Sequence, residues 1–163
     1  MKIVILEDNA DRRLEMQRCL LDKLPSYEPV FFDAPRTTRA FLEAHLAEVI
    51  CISLDHDMVL VEGCDDRLCD PGTGREVADL LATRKPQCPV VIHTTNTVAA
   101  EGMEQVLQDA HWRTYRVAPW GDLEWVRSVW IQTIRRAIVD AALPRSDAGR
   151  DGGVAEACAK TAH

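Results

Sequence analysis

With 163 residues, 47% of them hydrophobic and 28% charged, the chain has the size and apolar content of one folded domain, and a disordered chain is excluded. Its formal net charge of −7 argues against broad nucleic-acid binding, which requires clustered Lys and Arg, while a small phosphate-bearing ligand held at a metal stays open. No run approaches the ~20 apolar residues of a membrane span, and no secretory leader is expected, because Ile3–Leu6 has no cationic segment before it and no cleavage site behind it.

Short apolar runs of strand length alternate with longer amphipathic segments, the pattern of βαβ units around a parallel sheet. The first strand is Ile3-Val4-Ile5-Leu6, closed by Glu7-Asp8-Asn9. A helix follows from Asp11 to Leu24, with Met16, Leu20 and Leu24 spaced by four and Cys19 beside them; Pro25 ends it. Val30-Phe31-Phe32 reads as a second strand, and Thr37 or Thr38 is positioned to cap a second helix through Leu46. The third strand, Val49 to Leu54, is apolar almost throughout, as expected of a central strand covered on both faces. It runs into Asp55-His56-Asp57 and then an unusually long polar loop, Val59 to Gly74.

The third helix, Arg75 to Arg84, offers Val77, Leu80 and Leu81 to the core. Pro89 to Ile92 is the fourth strand, ending in His93-Thr94-Thr95-Asn96, and the fourth helix, Val98 to Ala110, has Ala99, Met103, Val106 and Ala110 on one side. Trp112 to Val117 reads as the fifth strand and Leu123 to Leu143 as one long helix, its apolar stripe passing through Val126, Trp130, Ile134, Ala137 and Ala141. Trp125 falls off that stripe. The expected domain therefore spans 1–143, and 144–163, rich in Gly, Ala and charge after Pro144, reads as a mobile tail.

Every polar cluster sits just after a strand, where open parallel sheets bind their ligands. Glu7 and Asp8, Asp55 and Asp57, and His93, Thr94 and Asn96 meet at one edge if their strands are neighbours. Carboxylates so close repel unless neutralised, and a hard divalent cation such as Mg²⁺ suits them together with a phosphate. Thr94 could donate to a phosphoryl oxygen, and His93 could serve as acid or base. Taken singly, the first cluster also reads as a helix cap, the second as turn chemistry and His93 as a buried, satisfied histidine. All three on one edge favour a site. The six cysteines (Cys19, Cys51, Cys64, Cys69, Cys88 and Cys158) are scattered, so a reducing cytoplasm is expected. Cys64 and Cys69, near His56, do not have the spacing of a zinc finger.

These residues resemble the receiver domain of two-component response regulators over about 1–143. Glu7-Asp8 is similar to the metal-holding acidic pair, Asp55 to the phosphoacceptor followed by a metal-coordinating backbone position at Asp57, Thr94 to the switch hydroxyl, and Val117-Ala118-Pro119-Trp120 to the stretch after the fifth strand. The resemblance implies an α/β, flavodoxin-like, doubly wound five-stranded parallel sheet of order 2-1-3-4-5 with helices on both faces. It also implies Mg²⁺ or Mn²⁺ held by Glu7, Asp8, Asp55 and Asp57, a histidine kinase or small donor as partner, and dimerisation or partner binding through the helix 4–strand 5–helix 5 face, with an exposed Trp as anchor.

The family's Lys falls on Ala118, for which Arg116 is the expected substitute; Val59 replaces a Pro, and the loop after Met58 is longer than usual. His93-Thr94-Thr95-Asn96 with Asp55-His56-Asp57 looks more like a divergent receiver group associated with cyclic phosphates. There a metal would polarise a phosphodiester and activate water, with His93 or His56 protonating the leaving oxygen. Cyclic-phosphate handling is thus favoured over phosphotransfer to Asp55 and over a pseudo-receiver acting by protein contacts alone.

Overall fold

The computed structural model describes residues 1–62 and 68–143. The chain runs through β1 (Lys2–Leu6), α1 (Ala10–Lys23), β2 (Glu28–Phe32), α2 (Pro35–His45), a 3-10 turn (Leu46–Glu48) and β3 (Val49–Leu54). Then come the two-residue strands β4 (Val61–Glu62) and β5 (Leu68–Cys69), α3 (Gly74–Ala82), β6 (Val90–His93), α4 (Thr97–Asp109), β7 (Thr114–Val117), a π-helical segment (Val126–Trp130) and α5 (Ile131–Ala142). Five strands form an all-parallel sheet in the order β2-β1-β3-β6-β7. Counting only those five, this is the expected flavodoxin-like order 2-1-3-4-5.

Side chains alternate across the pleat, so each central strand feeds two cores. Val4 and Leu6 of β1, with Ile52 and Leu54 of β3, join Leu42, Val77, Leu81, Met103 and Leu107 on the α2, α3 and α4 side. Ile3, Ile5 and Cys51 join Met16, Leu20, Trp125, Trp130, Ile131 and Ile134 on the α1 and α5 side. Burial on both faces is why β1, β3 and β6 read as largely apolar runs.

The long segment after β3 is pinned at its base: Asp57 and Thr73 form an antiparallel bridge, and Gly74 donates its N–H to the His56 carbonyl at 3.0 Å. Gly74 is required there, because a Cβ would stand 1.8 Å from the Asp55 carbonyl oxygen. Above the base, β4 and β5 pair antiparallel. Cys64 and the expected tail, 144–163, lie outside the described residues.

Several local expectations are corrected. Helix α2 starts at Pro35 with Ala34 as its cap, and the Thr37 and Thr38 hydroxyls donate to the Ala34 carbonyl from inside the first turn; proline is preorganised for that first position. The α4 core face centres on Ala100, Met103 and Leu107, with the expected Val106 and Ala110 half-buried against the same core. Trp112 precedes β7 and donates its indole N–H to the Leu81 carbonyl at 2.9 Å. After Glu124 and Trp125 the last helix passes through five π-helical residues, and the Ile131 N–H reaches back to the Val126 carbonyl. The wider turn shifts the stripe's phase at the start of the helix, so Trp125 is buried, while Ala141, in the final turn, is exposed.

Candidate functional site

At the carboxyl edge of the sheet lies a cavity of about 220 Å³ lined by Asp8, Asn9, Arg12, Asp55, Asp57, Val59, Thr94 and Thr95. Glu7, at the end of β1, is fully buried beneath it. Its Oε1 accepts from the Asn9 N–H at 3.0 Å, while Asn9 caps α1 by accepting from the Arg12 N–H at 3.0 Å. Two of the three residues closing the first strand thus do serve the helix start. Asp8, half-buried, accepts from the Val59 N–H and ties the base of the long loop to the cavity.

Asp55 is 4% exposed. Its Oδ1 accepts from the His56 N–H at 2.7 Å, and its Oδ2 lies 3.4 Å from the Arg12 guanidinium. Burial pushes its carboxyl up to about 6; the facing His93 works against that rise, and the neighbouring Glu7 carboxylate adds to it. For Glu7, burial also acts upward, but His93, the Asn9 amide and Arg12 together hold it below the ordinary carboxylate range. The two acids thus have different proton affinities in one small space.

His93 is fully buried and does not reach the cavity wall. Its Nδ1 is 2.9 Å from Ser53 Oγ, which also accepts the Trp130 indole N–H at 2.9 Å. Its Nε2 lies 3.4 Å from Glu7 Oε2, poorly aligned, so that neither atom has a hydrogen-bond partner among the described residues. The Trp125 ring stacks on the imidazole with centroids 6.0 Å apart. Thr94 is buried and accepts from the Asn96 N–H at 3.2 Å. Asn96 caps α4, accepting from the Ala99 N–H at 3.1 Å, and does not line the cavity. His56 is half-buried with Nδ1 2.8 Å from the exposed Asp57 carboxylate.

Arg116 does not take the place expected of it. It pairs with Ile92 in the sheet register and therefore faces α4, where Glu101 and Glu104 lie 3.9 and 3.7 Å away. The cavity's cation is instead Arg12, from the first turn of α1. It is 3.4 Å from Asp55, 3.7 Å from Glu7, and 5.8 Å over the Trp125 ring. Only the nearness of Arg12 to the first acidic cluster could have signalled this; its contacts with Asp55 and Trp125 are tertiary.

The family of cyclic-phosphate processing receiver domains matches residues 2–109. The chain belongs to that family. Among solved structures, this receiver domain is similar to the phosphorylated cyanobacterial phytochrome response regulator RcpA, at 19% identity over 89% of this chain and 98% of the other, with a TM-score of 0.63. A response regulator receiver domain from Rhodospirillum rubrum gives 15% identity, coverage of 88% and 96%, and a TM-score of 0.60. The Mn²⁺-bound form of response regulator Rcp1 gives 17%, 82% and 96%, and 0.56. At such identities the likeness shows the fold. No curated protein matches the chain. No helix among the described residues is long and apolar enough to cross a membrane.

Proposed function

We propose that this receiver domain binds a divalent cation and a phosphate group in the Asp55 cavity and acts on a cyclic phosphodiester. The observation that carries the reading is Arg12, which places a guanidinium against Asp55 and above Glu7 on the wall of a cavity that Thr94 also lines. A guanidinium fork matches phosphate oxygens, and the cavity has room for the phosphate and its ring, with the rest of the ligand outside.

Glu7, Asp8, Asp55 and Asp57 are the residues that would hold Mg²⁺ or Mn²⁺. Their oxygen chemistry fits such an ion, and the unpartnered buried Oε2 of Glu7 favours one. When bound, the ion neutralises the carboxylates and polarises the phosphoryl oxygen it touches. Arg12 and Thr94 orient the phosphate, and the Asp55 carboxylate takes a proton from the attacking water. One ring P–O bond breaks as the new one forms, and the leaving oxygen takes a proton to give a monoester. Between the two imidazoles, His56 is the better donor for that proton. It retains some exposure and is held by Asp57, whereas His93 is enclosed.

A second reading, Asp55 accepting a phosphoryl group from a histidine kinase or small donor, draws support from Asp55 and Thr94 sharing the cavity wall. In that reading the α4–β7–α5 face, beside which Trp120 is exposed, would carry dimer or partner contacts. Both readings suit a cytoplasmic protein. The test is incubation of the whole chain with Mg²⁺ or Mn²⁺ and a panel of cyclic nucleotides, and separately with acetyl phosphate. Monoester formation lost in Asp55→Asn supports the first reading. A phosphoryl mass adduct on the wild type alone supports the second, and neither product refutes both.

A further inference from the structure

Glu7, Asp55 and His93 bring two carboxylate oxygens and one imidazole nitrogen to within 4.8 Å of one another, with all three side chains buried. Glu7 Oε2 and His93 Nε2 are unpartnered among the described residues, and polar atoms left so in an interior are costly. Their separation of 3.4 Å matches that of two ligands each ~2.1 Å from a shared ion at a near-tetrahedral angle, which stand ~3.4 Å apart. We propose that His93 ligates the cation through Nε2, making a Glu7–Asp55–His93 set that selects a transition-metal dication over Mg²⁺. The inference rests on the cation-holding reading above and names the class of metal.

Mg²⁺ is served by oxygen and gives up its water reluctantly. An imidazole raises affinity along the series towards Mn²⁺, Co²⁺ and Zn²⁺. A ligating imidazole must keep Nε2 free of its proton, so Nδ1 carries the hydrogen and needs an acceptor. Ser53 Oγ supplies it at 2.9 Å. The indole of Trp130 can only donate, and it occupies one lone pair of that oxygen at 2.9 Å; a hydroxyl has a second. Without a cation, the same hydroxyl can turn and donate to Nδ1, which sends the imidazole hydrogen to Nε2 and towards Glu7. Ser53 therefore serves both tautomers. Trp125, stacked at 27° to the ring, fixes its plane. A buried serine held by a buried indole is the support that metal-ligating histidines carry behind them.

The test uses the full chain stripped of metal and titrated with Mn²⁺ and Mg²⁺ alone. Mn²⁺ is expected to bind at least ~10-fold more tightly than Mg²⁺, and His93→Gln to remove that preference while leaving Mg²⁺ affinity within about 3-fold. Ser53→Ala should weaken Mn²⁺ binding by ~10–100-fold. Electron spin-echo spectra of the Mn²⁺-loaded wild type should show nitrogen coupling that persists in His56→Gln, a readout that holds even if His93→Gln fails to fold. Tight Mn²⁺ binding without nitrogen coupling, or coupling lost in His56→Gln, overturns the role of His93 and leaves the cation site standing. No binding of either ion overturns both.

Discussion

Replacing Asp55 by Asn in the metal-free protein should make it more stable at neutral pH. The Asp55 carboxyl is raised from 3.8 to about 6 by burial, with the Glu7 carboxylate adding to it. At ~1.4 kcal/mol per tenfold change in proton affinity, ionising it in the folded state costs about 3 kcal/mol relative to the unfolded chain. The sign follows from the direction of the shift. Below about pH 4 Asp55 is protonated in both states and carries no penalty; as pH rises from 3.8 to about 6 the penalty accumulates, and above that it is complete. Asparagine is neutral throughout and keeps an oxygen for the His56 N–H, and the attraction of Arg12 for the carboxylate is already contained in the raised value. The expected gain is therefore about 3 kcal/mol at pH 7.5, read as a rise of about 1.5 M in the urea midpoint, and close to nothing at pH 4. Saturating Mn²⁺ should reverse the order, since a ligand at ~1,000 times its Kd adds ~4.1 kcal/mol to the wild type only. An Asp55→Asn protein no more stable than wild type at pH 7.5 with chelator present, or one whose advantage persists at pH 4, would refute the claim that ionised Asp55 is strained by burial.

Arg12→Gln should weaken binding of inorganic phosphate by ~10-fold or more, as loss of a charge-assisted bond implies; calorimetry should show Mn²⁺ binding slightly tighter, because a competing cation has gone. Arg116→Ala removes only surface pairs with Glu101 and Glu104, so stability should hold within about 0.5 kcal/mol and phosphate binding should match wild type; a loss like that of Arg12→Gln would return Arg116 to the site. In Gly74→Ala the new methyl meets the Asp55 backbone oxygen, and a cost of about 1–3 kcal/mol is expected, with weaker Mn²⁺ binding as Asp55 is displaced. A wild-type urea midpoint would show that the α3 terminus yields without cost.

The sheet and the acids on its edge were legible because β1, β3 and β6 are apolar runs that end abruptly in charge, and a parallel topology forces such endings together. The face of Arg116 was not legible: it lies on the side of β7 covered by α4, whose Glu101 and Glu104 hold the arginine. Arg12 was not legible. An arginine in a first helical turn looks like any solvated residue, and its contact with Asp55 depends on how α1 leans across the strand ends. Trp125 was misjudged because a period of 3.6 was carried through residues that adopt a wider turn. Nor does a strand-end histidine announce by itself whether it faces the cavity or lies beneath it; the Ser53 and Trp130 contacts decide that for His93.

The arrangement of tryptophans also has an optical consequence. Trp112, Trp125 and Trp130 are buried and only Trp120 is exposed, so the native emission should be dominated by shielded indoles, with one water-facing fluorophore that soluble quenchers reach. Two of the shielded indoles abut the imidazole's own surroundings, one stacked on its ring and one sharing its serine. A paramagnetic ion seated a few ångströms away would darken those two. Loading of the centre is thereby readable from the protein's own light, with no label added.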